Sequence, residues 1–210
     1  MKFARNAAMI GMVLMGALAW AVGLAAPSNP GAGPGSLYQD VNKCKDCHDQ
    51  DSTGNQWRKW QEEKHSKAYQ TLANDKAKKL ALSKGIKTSP QAADQCLKCH
   101  VTAFGVPKER LDDGFSIKPG VQCDTCHGPG SGHINARAAA AYEAEFGDDP
   151  FGPPGKGKSP PYIALPKGEV QFPDQKACEK CHNTDSPSFK SFNYDEEKKK
   201  NQHLDPRKKK

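Results

Sequence analysis

Each of the eight cysteines in this 210-residue chain belongs to a Cys-x-x-Cys-His run. The four runs are Cys44–Cys47–His48, Cys96–Cys99–His100, Cys123–Cys126–His127 and Cys178–Cys181–His182, and no cysteine is left over. Two thiols at this spacing can add to the vinyl groups of a haem as thioethers, while the adjacent imidazole sits under the iron. Disulfide pairing in an exported chain does not explain a histidine after every pair. Structural zinc sites and redox dithiols do not require it either. With histidine at 7 of 210 positions, four such placements arise by chance about once in a million. The motifs therefore point to four covalent haem c groups, held by the eight cysteines, with His48, His100, His127 and His182 as proximal iron ligands.

The distal ligands follow from a count. Outside the motifs there are three histidines, His65, His133 and His203, and all four methionines (Met1, Met9, Met12, Met15) lie in the leader. At most three irons can then carry two histidines within one chain. The fourth is five-coordinate, or takes water, a lysine, a terminal amine or a residue of another chain. A bis-histidine iron transfers electrons, whereas an open one can bind a small ligand. No catalytic side-chain set is evident.

These ligands need elements to hold them. Residues 57–82 carry a helical pattern closed by Gly85, with His65 on the face of Ala68 and Leu72. His133 follows a Gly-Pro-Gly-Ser-Gly loop and leads into an alanine-rich helix, 134–146. Residues 148–161 are too rich in Pro and Gly for helix or strand and read as a surface loop. Residues 193–204 read as a short helix, and 207–210 as a frayed basic tail. The fold class expected is mainly α and loop-rich, with little or no sheet and haems as the core.

At the front, Lys2 and Arg5 precede 20 uncharged residues, 7–26. This reads as a signal peptide, 1–25, or a retained anchor of similar length. A flexible linker (26–36), a tetrahaem domain (37–205) and a basic tail (206–210) follow. The expected location is the periplasm, with membrane anchoring as the alternative and membrane contact through residues 7–26 or the tail.

Composition agrees with a core that is not made of side chains. Apolar residues are 36% of the chain and 19 of them fall within residues 1–25. Counted with glycine and without tyrosine, the remainder is roughly 36% apolar, against ~45–50% in ordinary globular chains. Porphyrin faces would supply the missing apolar surface. Net charge is +7, or +5 without Lys2 and Arg5; four ferric haems with ionised propionates bring it to about +1. The lysine runs lack the interleaved aromatics of a nucleic-acid surface, so no nucleic-acid partner is expected.

The chain resembles the cytochrome c-554 family of tetrahaem electron carriers linked to hydroxylamine oxidoreductase. The resemblance rests on a Trp followed by KHSKAYQTL (64–72), on CLKCHVTAFG (96–105), on GVQCDTCHGPG (120–130) with a histidine after it, and on the fourth motif followed by Ser186-Pro187. It implies that His48 pairs with His133 on haem 1, His127 with His65 on haem 3 and His182 with His203 on haem 4, leaving haem 2 on His100 open. It also implies close stacking of haems 1/3 and 2/4, and redox protein partners such as a hydroxylamine-oxidoreductase-like donor. Residues 185–200 look shorter than the family's corresponding region, which helps wall the open haem. The expected function is electron carriage. The alternatives are reduction of a small nitrogen oxide such as nitric oxide at haem 2, and a haem subunit of a membrane complex or filament.

Overall fold

The computed structural model describes residues 35–146 and 169–207. Within them the chain is helical with connecting loops: α1 (Val41–His48), α2 (Gln56–Glu62), α3 (Ala68–Thr71), α4 (Asp75–Ser83), α5 (Asp94–His100), α6 (Cys123–His127), α7 (Ser131–Phe146), α8 (Gln175–Glu179) and α9 (Tyr194–Asn201). Short 3₁₀ turns at Asp51–Thr53, His65–Lys67, Pro90–Ala92 and Lys108–Arg110 link them. No strand forms among the described residues. One isolated parallel bridge, Tyr38 to Leu111, is the nearest approach to a sheet. None of the described helices is long and apolar enough to cross a membrane. The leader, the 148–161 loop and residues 208–210 lie outside the described residues.

Most of these helices have fewer than ten residues, too few to persist in water without tertiary support. Capping supplies part of that support. Asp40 accepts the Asn42 N–H at 3.0 Å to start α1. Asn74 accepts the Ala77 N–H at 2.8 Å to start α4, and Asp174 accepts the Ala177 N–H at 2.9 Å to start α8.

The helical pattern across residues 57–82 breaks into α2, a 3₁₀ turn, α3 and α4 rather than running as one helix. The first break is at Glu63, which is extended. It frees the His65 carbonyl to accept the Val121 N–H at 3.0 Å. Gly120 makes this approach possible: its φ is +77°, and a Cβ there would stand 2.8 Å from the His65 carbonyl oxygen.

Residues 120–125 are the hub of the fold. Gln122 is 2% exposed. Its side chain accepts the Val41 N–H at 2.8 Å and donates to the Ser116 carbonyl at 2.7 Å. Its own N–H reaches the hydroxyl of fully buried Thr102 at 2.6 Å, and that hydroxyl shares a 2.7 Å hydrogen bond with Thr125. Trp60 donates its indole N–H to the Val121 carbonyl at 2.8 Å. One short segment thus fixes the start of the first motif helix, the His65 turn and the exit from the second motif.

Apolar burial is slight. Among the described residues the buried hydrophobic side chains are Val41, Leu72, Ala81, Ala93, Val101 and Val121. None is aromatic, and six small side chains cannot offset the ordering entropy of a chain this long.

Candidate haem centres

The four motifs fold alike. In each, a helical turn places the two cysteines three residues apart on one face, with the histidine one position further. α1 and α5 end on His48 and His100, and α6 is the third motif itself. At the fourth, the turn continues past α8, with the His182 N–H bonded to the Cys178 carbonyl at 3.0 Å. All eight thiols are free.

Motifs distant in sequence meet through their thiols. Cys44 of the first is hydrogen-bonded to Cys123 of the third, and Cys181 of the fourth to Cys99 of the second. Cys126 lies close enough to Cys178 for their charges to interact. The Cys123 hydrogen bond and burial hold the Cys44 thiol far above the ordinary thiol range. Burial pushes Cys126 up to about 11 and Cys181 up to about 12. Redox-active cysteine pairs have depressed values, so these environments suit uncharged sulfur. A thioether is uncharged.

The histidines come together in pairs. The rings of His48 and His133 stand 6.2 Å apart between centroids and 29° from parallel. Those of His65 and His182 are 6.0 Å apart, and those of His127 and His203 are 5.9 Å apart. A metal held between two imidazole nitrogens at about 2.0–2.1 Å each keeps the ring centroids roughly 6–6.5 Å apart. His100 has no ring partner among the described residues. No described group of three or more His, Cys, Asp or Glu could hold a metal ion; each of the three pairs could offer two imidazoles to one metal.

Two of these pairs differ from those that the resemblance implies. His65 meets His182 rather than His127, and His203 meets His127 rather than His182. The first is read from the ring positions alone. The return of the chain after α9 fixes the second: His203 and Asp205 come close enough to His48 to act on its charge, beside the first and third motifs.

Hydrogen bonds orient five of the seven rings through Nδ1. The acceptors are Gln56 Oε1 for His48 at 3.3 Å, the Ala68 carbonyl for His100 at 2.8 Å and the Gln171 carbonyl for His127 at 2.7 Å. For His133 the acceptor is Glu169 Oε1 at 2.8 Å, and for His203 the Asn201 carbonyl at 2.9 Å. A ring that donates from Nδ1 keeps Nε2 for a metal. Burial lowers the affinity of His48, His65, His127 and His203 for a proton, which favours the neutral imidazole, the form that can ligate a metal.

The same residues fit haem by a second test. The indole N–H of Trp57 and Nε of Arg137 are buried without a hydrogen-bond partner. Orphaned buried donors call for an acceptor, and carboxylates such as haem propionates are acceptors. Sequence spacing gave no sign of Glu169, Arg137, Gln171, Gln56 or Trp57. They come from separate segments and act on the ligands only once the chain is folded.

Turns of paired thiols and an imidazole, in a helical fold with almost no apolar core, define a c-type cytochrome. A family profile described as "Cytochrome c554 and c-prime" matches residues 43–128, a span that holds the first three motifs. The chain is 29% identical over 156 residues to cytochrome c-554 of Nitrosomonas europaea, across 69% of this chain and 57% of that protein. It thus spans less than two thirds of that relative's length. No solved structure matches. Both matches support the cytochrome c-554 family for this chain, and that family implies covalently bound haem c.

Proposed function

We propose that the chain carries electrons one at a time between redox proteins, using four haem c groups. The observation that carries this reading is the pairing of six histidines at metal-spanning distances around motifs that touch one another. Haem c, when bound, supplies one-electron chemistry at iron. The chain's own residues do the rest. Cys44, Cys47, Cys96, Cys99, Cys123, Cys126, Cys178 and Cys181 attach the groups. His48 with His133, His65 with His182 and His127 with His203 close three irons to other ligands. Thiol contacts between first and third and between second and fourth motifs, with Cys126 of the third near Cys178 of the fourth, would bring all four into one path. Export by residues 1–25 to the periplasm, or anchoring there, puts this path among exported donors and acceptors, a hydroxylamine-oxidoreductase-like donor included.

Potentiometric titration tests this reading. The expected result is uptake of four electrons per chain and exchange of electrons with a second c-type cytochrome. Uptake of none would contradict it.

The lone His100 favours a second reading, in which a small ligand such as nitric oxide binds and is reduced at that site. Carbon monoxide added to the reduced protein should change the spectrum of one haem. An unchanged spectrum leaves carriage alone.

A further inference from the structure

His133 is held differently from the other histidines. Of the five rings with an Nδ1 partner, four face a neutral oxygen: an amide at His48 and backbone carbonyls at His100, His127 and His203. His133 faces the carboxylate of Glu169 at 2.8 Å, and that side chain is only 9% exposed. The second oxygen of Glu169 accepts Arg137 Nη2 at 2.7 Å. His133 and Arg137 lie one turn apart on α7, so both point from one face at the same carboxylate. Arg137 thus fixes where the carboxylate sits.

The comparison sits within three residues. Gln171, two positions on, exchanges two hydrogen bonds with His127: its N–H donates to the His127 carbonyl at 3.0 Å, and its carbonyl accepts the ring Nδ1 at 2.7 Å. A single run of chain therefore grips a ligand of two different motif sites. It presents a charge to one and a neutral carbonyl to the other. On the far side of the first site, His48 has only the Gln56 amide at 3.3 Å.

A carboxylate that accepts Nδ1–H makes the imidazole a stronger donor through Nε2 and stabilises the higher charge on the metal. We propose that Glu169 is a positioning residue that lowers the reduction potential of the haem held by His48 and His133, making it the last of the three bis-histidine sites to accept an electron and the first to give one up. This rests on the reading of the chain as a multihaem cytochrome. Each reduction adds one electron to one iron, supplied in the test by a soluble redox mediator, and breaks no bond.

The test is a mediated redox titration of the full haem-loaded protein, followed by visible spectra and by electron paramagnetic resonance at poised potentials. Glu169→Gln keeps the size and the acceptor oxygen and removes the charge. One midpoint should rise, the other three should stay, and the number of low-spin signals should be unchanged. Arg137→Gln removes the opposing positive charge, so the same midpoint should fall. Four unmoved midpoints in Glu169→Gln would overturn the proposal. So would loss of one low-spin signal, which would mean that Glu169 only keeps His133 in place, or a rise of that midpoint in both variants. A wild-type protein without haem would instead overturn the cytochrome reading itself.

Discussion

The carboxylate of Asp124, inside the third motif, accepts the Gln39 N–H at 2.7 Å across 85 residues of sequence. The same oxygen accepts the Gly130 N–H at 2.9 Å. A buried side chain between the two cysteines of the third motif thus ties the segment that enters the first motif to the loop that leads to His133. Replacing Gly130 by any larger residue would place a Cβ 2.8 Å from Asp124 Oδ1.

Asp124 sets a pH dependence of stability. Burial pushes its carboxyl up to about 6, against the two backbone N–H donors that pull it down. The folded state therefore holds this proton more tightly than the unfolded chain. The resulting stability is complete below about pH 4 and lost as pH rises through about 6, a change of roughly 3 kcal/mol. Asp124→Asn keeps an acceptor for both donors and removes the titration. Its denaturation midpoint should match or exceed the wild type's at pH 7. Asp124→Ala strands two buried donors and should cost about 2–4 kcal/mol. Urea unfolding from pH 4 to 8 measures all three.

Gly120→Ala should destabilise the protein by about 2–4 kcal/mol, because the new methyl meets the His65 carbonyl in a left-handed backbone. Thermal unfolding gives the size of the loss. The low-spin signal that depends on His65 should also broaden, since the same contact aims that ring.

Much of the candidate site is legible in the chain because its motifs are local. Cys-x-x-Cys-His needs one helical turn to be read, and the shortage of apolar residues needs only counting. The helix ending at Phe146, the helix near Tyr194 and the near absence of strands can be read along the chain. The break at Glu63 cannot. Nothing in the residues 57–82 shows that Val121, far along the chain, takes the His65 carbonyl. The pairings of His65 and His203 were invisible for the same reason, since ring partners are set by where separate segments cross.

Those pairings can be tested by subtraction. In a protein lacking the fourth haem, made by Cys178→Ala with Cys181→Ala, His65 has no iron to ligate. His65→Ala in that background should leave the low-spin count unchanged, whereas His203→Ala should remove one low-spin signal. The reverse pattern would restore the pairing that the family resemblance implies.

A chain with all eight cysteines replaced by alanine should fail to fold. Its short helices have too little apolar surface to pack on when porphyrin is absent. Far-ultraviolet circular dichroism should show mostly coil and no cooperative melting. A cooperative transition would mean that the side chains suffice as a core.

Electron paramagnetic resonance of the fully oxidised monomer, with haem content measured on the same sample, tests the account most directly. Three low-spin signals and one high-spin signal, at four haems per chain, are expected from three histidine pairs and a lone His100. Four low-spin signals would contradict the ligand count, and the absence of haem would contradict the whole account.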